Sequence, residues 1–339
     1  MAFKVGLSSD LSNGADGFSW GNIAIEELAP LSWEFLQPTG SNFQADVVRG
    51  FDAIAFTGPG VVTDSFPAPE ESPLIIARFG VGYDNIDLDA CTRAGTALTI
   101  TPDGSKKPVA TAALMMVLST MHRLVAKDAL ARAGGWDKRL HGLGQGLNGK
   151  TVATIGLGNI ATEFFRLIAP FDCERIACDP WKNQEEASQH GVTLYPLDEV
   201  MKRADVVVVM ATLTPETRHM IGASQLALMK SNAIIVNISR GPIIDESALV
   251  KVLTDGAIAG AGLDVFEVEP VLKDNPLLAL DNVIVTPHNI AWTDELAYNM
   301  GSSAFNSIRT IARGEIPTFV VNKDVLTTPQ FLSKLERLK

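Results

Sequence analysis

Cysteine is nearly missing from this chain. The 339 residues hold three, Cys91, Cys173 and Cys178, with no CxxC spacing among them. An odd and scattered set excludes a disulfide framework and fits free thiols in a reducing compartment. Histidine is almost as sparse: there are five, with no HExxH motif and no Cys/His cluster, so no metal site is expected. Positive charge is also short. Lys and Arg number 28 against 39 Asp and Glu, a net charge of −11. That balance argues against nucleic acid and anionic membranes as partners, and an anionic small molecule would need its own local cation. No apolar run is long enough to span a bilayer. The nearest, VATAALMMVLSTM from Val109, is interrupted by Thr and Ser and reads as a core helix. Nothing reads as a signal peptide, because MAFKVGLSSD starts directly in a strand-like run. A cytoplasmic location is expected.

What the chain does have is alternation. At 46% hydrophobic, and with a prior of roughly 150 residues per domain, it has length and apolar content for two cores. Strand candidates in the first third are FKVGL, WEFLQ, DAIAF, PLIIARF and ALTIT, followed by one long helical pattern from about Lys107 to Arg132. A Gly-rich loop, HGLGQGLNGK, precedes a second series: TVATIG, RIACD, DVVVVM, AIIVNIS, GAGLDVF and NVIVTPH. Nearly continuous Val, Ile and Ala runs alternating with helices predict parallel sheets buried on both faces. After His288 the pattern turns helical, from about Asp294 to Arg313, and the tail LTTPQFLSKLERLK is too short for a domain. The expected organisation is residues 103–288 inserted between 1–102 and 289–339, with crossings near Pro102 and Asn289. A cleft between two domains is a common small-molecule site.

Four stretches carry chemistry. VATIGLGNIATEFF contains Gly156-x-Gly158-x-x-Ala161 after a strand and before a helical pattern, with Asp179 ending the next strand. In that context the motif predicts a dinucleotide site. Gly156 makes the tight turn, Gly158 admits the pyrophosphate to the backbone, and the helix N-terminus favours the phosphate charge. Asp179 would accept from the adenosine ribose hydroxyls and repel a 2′-phosphate, favouring NAD over NADP. In IIVNISRGPIIDE a permanent cation, Arg240, stands where a buried strand ends: either a rim salt bridge or a clamp for an anion. His288 is the one histidine directly following a strand-like run, while His122, His141, His190 and His219 read as structural or solvated. In GLDVFEVEP, Asp264 lies inside the strand-like run and needs a specific partner. Either Glu267 or Glu269 could orient an imidazole, and spacing leaves that open. Finally, ARFGVGYDNID runs a strand into Gly80-Val81-Gly82, whose N–H groups could cradle an anion.

Taken together and in order, GLGNIA with Asp179, NISRG, LDVFEVEP and TPHNIAWT resemble the D-isomer-specific 2-hydroxyacid dehydrogenases over nearly the whole chain. The resemblance implies two Rossmann- or flavodoxin-like doubly wound α/β domains, with the NAD domain inserted into the substrate domain. It implies hydride transfer between NADH and a small anionic 2-oxo or D-2-hydroxy acid. It makes Arg240 the substrate-binding arginine, His288 the acid/base and Glu269 its carboxylate partner. Asp264 would hold the nicotinamide carboxamide. Asn159, Ile160, Thr212, Ile238 and Ser239 would join Gly156, Gly158 and Asp179 around the cofactor, with Arg240 and His288 touching both ligands. Val81 and Gly82 would donate to the substrate carboxylate. A homodimer is expected from the family. Val109-Ala110-Thr111 departs from the usual Val-Ala-Glu at the long helix, and NIAW at Asn289–Trp292 resembles some hydroxypyruvate and glyoxylate reductases. There Trp292 would shape the pocket or pack the junction, and Lys106 and Lys107 would attract anions or stand solvated. No regulatory domain is expected after the last helix, unlike the long serine-regulated phosphoglycerate dehydrogenases. Two other readings share the motifs: an NAD-sensing corepressor-like binding protein, and a formate- or phosphite-type dehydrogenase.

Overall fold

Runs of Val, Ile and Ala become parallel strands in two sheets. The computed structural model describes residues 3–14, 17–38, 40–140 and 142–338; His141 lies outside them. The chain divides into two compact units, Met1–Pro108 with Trp292–Lys339, and Val109–Ala291. The exchange expected at Pro102 falls at Pro108, inside the helix Pro102–Met121. The physical reason is packing. Near the helix start, a Cβ on Gly104 would come within 2.7 Å of the Asn299 backbone, in the first unit. Further along, Ala110, Ala113, Met116, Val117 and Met121 sit in a core cluster of the second unit.

The first unit has five strands: β1 (Lys4–Leu7), β2 (Ser32–Phe35), β3 (Ala53–Phe56), β4 (Ile75–Arg78) and β5 (Ala97–Thr99). All pair in parallel, in the order β2-β1-β3-β4-β5. The tail is not loose. Its helix Pro329–Glu336 buries Phe331, and the Lys334 Nζ donates to the carbonyls of Ser72, Pro73 and Ala94 at 3.3, 3.1 and 2.9 Å. Burial, with Arg337 adding to it, pushes the Lys334 pKa down to about 7.

The second unit has β6 (Thr151–Ile155), β7 (Glu174–Cys178), β8 (Thr193–Leu194), β9 (Val206–Val209), β10 (Ile234–Asn237), β11 (Gly260–Leu263) and β12 (Val283–Val285). The order is β12-β11-β10-β9-β6-β7-β8, again all parallel. Only β8, two residues long, was too short to read from the sequence. Alternate residues of β6, β9 and β10 feed different cores. Ala153, Ile155, Val207, Val209 and Ile235 belong to one cluster, and Val152, Val206, Val208, Ile234 and Val236 to the other. This is the two-faced burial that near-continuous apolar strands require. The order reverses between β6 and β9, the topological switch where open α/β sheets receive ligands.

Two expectations change. The single helical pattern to Arg132 is two helices, Pro102–Met121 and Leu124–Arg132, bent by 59°. Arg123, at φ +54, makes the break, and it is a conformation that side-chain periodicity cannot reveal. Asp264 lies just past the end of β11 rather than within it. No single described helix is long and apolar enough to cross a membrane.

Candidate active site

The chemistry collects on the loops that leave the carboxyl ends of β6, β7, β9, β10, β11 and β12, all in the second unit. After β6, Gly156 has φ +96, and a Cβ there would come within 2.9 Å of the Ala211 nitrogen. Backbone conformation and space both demand glycine. Gly158 is the N-cap of the helix Asn159–Ile168, and a Cβ on it would meet nothing within 4 Å. Open space therefore faces the positive end of the helix, where a pyrophosphate fits. Asn159 and Ile160 form that first turn. Asp179, after β7, is fixed by two backbone donors: Leu157 N–H to Oδ2 at 2.7 Å and Trp181 N–H to Oδ1 at 2.9 Å. Each oxygen keeps a further lone pair for a ribose hydroxyl. The glycine cradle and the held carboxylate fit a dinucleotide.

The β9 and β10 loops are tied together. Ser239 Oγ, after β10, donates to the Ala211 carbonyl, after β9; within the β9 loop, Thr217 Oγ1 donates to the Thr212 carbonyl at 2.7 Å. Asn237, ending β10, caps its own turn. Its Oδ1 accepts from Ser239 N–H at 3.0 Å and its Nδ2 donates to the Arg240 carbonyl at 2.9 Å. Ile238 packs against the core cluster, while Arg240 Nη1 donates to the Ser239 carbonyl at 2.8 Å. Gly241 allows a second close approach: a Cβ there would overlap the Phe266 carbonyl at 1.9 Å. The turn carrying Arg240 therefore lies directly on the loop carrying Glu269.

Asp264 has the specific partners its burial requires. Its Oδ1 accepts from Thr286 Oγ1 at 2.7 Å, Asn289 N–H at 2.9 Å and Ile290 N–H at 3.1 Å. Its carbonyl accepts from His288 N–H at 2.8 Å. Burial pushes the Asp264 pKa up against these donors. His288 Nδ1 lies 2.8 Å from Glu269 Oε2, and Phe266 N–H donates to Oε1 at 2.9 Å. Burial works against ionising Glu269. The His288 hydrogen bond, the Phe266 N–H and the charges of His288 and Arg240 outweigh it and hold the carboxyl below its ordinary pKa. An ionised Glu269 can only accept, so Nδ1 carries the proton and Nε2 is left for a ligand.

Glu267, an open candidate by spacing, turns away from His288. Its Oε1 is 2.6 Å from Nε2 of His219, a residue read from the sequence as structural or solvated. The partners are 48 residues apart, so no local pattern could have announced the pair. Of the remaining candidates, Val81 and Gly82 belong to the first unit. Gly80, at φ +122, donates its N–H to Thr101 Oγ1 at 2.8 Å. Among the described residues, neither the Val81 nor the Gly82 N–H donates to an acceptor of the chain. Trp292, 56% exposed, has its ring 4.5 Å from that of Trp20. Lys106 is half-buried and Lys107 exposed. The three thiols are free, and burial raises the Cys91 pKa to about 12, which leaves it unreactive. Among the described residues no group of three or more His, Cys, Asp or Glu could hold a metal ion.

Comparison with known proteins gives the family. Residues 114–289 match a family model described as D-isomer specific 2-hydroxyacid dehydrogenase, NAD binding domain. A D-3-phosphoglycerate dehydrogenase from Methanocaldococcus jannaschii is 41% identical over 86% of this chain and 55% of its own length. The chain thus spans about half of that relative. A glyoxylate reductase from Korarchaeum cryptofilum is 35% identical over 89% of this chain and 92% of its own. Among solved structures, a D-lactate dehydrogenase from Aquifex aeolicus complexed with NAD and lactic acid superposes with a TM-score of 0.79. It is 25% identical, over 92% of this chain and 96% of that one.

Proposed function

Because the chain belongs to the D-isomer-specific 2-hydroxyacid dehydrogenases, a family of NAD-dependent oxidoreductases, we propose that it reduces a small 2-oxo acid to the D-2-hydroxy acid, with Arg240, Glu269 and His288 as its working side chains. The observation that carries this reading is the contact of His288 Nδ1 with Glu269 at 2.8 Å, with Arg240 close enough to help hold that carboxylate ionised. The cofactor, when bound, supplies the hydride that the keto carbon accepts. Negative charge then develops on the carbonyl oxygen, and the proton it needs comes from His288 Nε2. Glu269 stabilises the imidazolium before transfer and fixes the ring. Arg240 offers parallel donors to carboxylate and carbonyl oxygens, and the Val81 and Gly82 N–H groups take the rest of the carboxylate. Gly156, Gly158, Asn159 and Ile160 receive the pyrophosphate, Asp179 the ribose, and Thr212, Ile238, Ser239 and Asp264 the nicotinamide half. Relatives named glyoxylate reductase and D-3-phosphoglycerate dehydrogenase support glyoxylate and the oxidised form of 3-phosphoglycerate as the first acids to test.

The protein acts as a homodimer in this reading. The helix Leu124–Arg132 buries no residue in the single chain. Leu124, Val125, Trp136, Leu140 and Leu143 are all exposed, between 53% and 92%, an apolar surface of the kind a subunit interface covers. Steady-state oxidation of NADH and NADPH with a panel of 2-oxo acids tests the activity, and sedimentation tests the dimer. A protein that binds NADH yet turns over none of the acids would be a nucleotide-sensing binding protein instead.

A further inference from the structure

We infer that His219 is a positioning residue: its pair with Glu267 is a clasp that holds the turn carrying Arg240 and the loop carrying Glu269 in working register. This inference rests on the proposed reductase reading and adds a residue to it. His219 stands on the β9 loop and joins two others. Its N–H donates to the Pro242 carbonyl, two residues past Arg240, at 2.8 Å. Its Nε2 meets Glu267 Oε1 at 2.6 Å, two residues before Glu269. Glu267 extends the fastening. Its Oε2 accepts from Glu246 N–H at 3.2 Å, at the start of the helix Glu246–Thr254, and its own N–H donates to Glu246 Oε2 at 2.9 Å. Asn275 Nδ2 holds the other oxygen of Glu246 at 2.7 Å.

The rest of the contact is backbone against backbone. Gly241 leaves no room for a Cβ against Phe266, whose N–H holds Glu269 Oε1. Ile221 N–H donates to the Ile243 carbonyl at 3.2 Å, and Asp245 N–H to the Ile221 carbonyl at 3.0 Å. A shift of the 265–270 loop therefore moves Glu269 relative to both His288 and Arg240. His219 also keeps φ +53, close to the +54 of His288. Histidine enters this region more readily than most non-glycine residues, and positions held there cluster at functional sites. The charged groups around the clasp are Asp245, Glu246 and Glu267; those around Glu269 are His288 and Arg240.

The test reads the Glu269 carboxyl directly. Its titration is followed by carbon NMR in protein labelled at glutamate and assigned through Glu269→Gln, beside kcat/KM for reduction. In His219→Ala the loop loosens, the donors to Glu269 weaken, and its midpoint moves up. A catalytic group displaced by a fraction of an ångström should cost ~10-fold in kcat/KM. His219→Gln keeps a side-chain N–H for Glu267 and restores the wild-type midpoint. Glu267→Ala repeats the His219→Ala result should that variant not fold. A lower melting temperature with an unmoved Glu269 midpoint overturns the proposal and leaves His219 a stabilising residue only. The NMR readout needs no turnover, so a wild type inactive on every acid would end the reductase reading while the clasp is still decided by the midpoint.

Discussion

Two histidine–glutamate pairs stand on the same rim of the seven-stranded sheet, and their glutamates are two residues apart on one loop. His288 meets Glu269 at 2.8 Å and His219 meets Glu267 at 2.6 Å. Both histidines have left-handed backbones. What separates the pairs is the use of the remaining atoms. Glu269 spends its second oxygen on Phe266 N–H and sits near Arg240, so it is held ionised against its burial. It bonds the inner nitrogen of its histidine and leaves the outer one for a ligand. Glu267 takes Nε2 itself and spends its second oxygen on the start of a helix. One pair leaves Nε2 of its histidine for proton transfer, and the other engages Nε2 and ties its loop to a neighbouring turn and helix. The same two residue types thus make a proton donor or a fastening, according to which ring nitrogen is occupied.

The largest break in this comparison is His288→Ala. It removes the proton donor and should lower reduction about 100- to 10,000-fold while NADH still binds by fluorescence titration. The corresponding loss for His219→Ala is the far smaller one given above. Equal losses at the two sites would erase the distinction between the pairs.

Arg240→Lys comes next. Lysine keeps the charge but not the planar fork. One lost hydrogen bond to a charged group, about 1.5–3 kcal/mol, should lower kcat/KM for the 2-oxo acid about 10- to 100-fold. NADH affinity and thermal stability should hold. An unchanged kcat/KM would make Arg240 a rim cation.

The pH profile sharpens the pair chemistry. Reduction needs Glu269 ionised, and its pKa is lowered in the folded protein. Activity should therefore persist below the ordinary carboxylate range and fall only as pH drops through that lowered value. The ion pair's contribution to stability has the same sign, present above the unfolded pKa and lost on acidification. In steady-state profiles the acid limb should vanish in Glu269→Gln; a limb that stays in place would belong to another group.

The smallest effect is expected at Asp179→Ser, which should narrow the preference for NADH over NADPH. Because the carboxylate also anchors Leu157 and Trp181 N–H groups, NADH affinity should weaken as well. Equal kcat/KM for both cofactors in the wild type would remove Asp179 from that role.

The sequence by itself determined the parallel strands, the glycine turn at Gly156, and the positions of Arg240 and His288 just past strand ends. Those signals are local. Apolar runs declare burial on both faces, a glycine pair declares a tight turn, and a polar residue after a buried run declares a rim. Spacing along GLDVFEVEP is the same whichever way a side chain turns: the family resemblance assigned Glu269 to His288, and only the tertiary structure paired Glu267 with His219. It also decided the bend at Arg123, a single backbone dihedral that side-chain periodicity does not record. It decided that Lys334 reaches three carbonyls more than 230 residues away. Pairing between distant polar atoms depends on how loops converge once the sheets have formed, and only the folded chain brings those loops together.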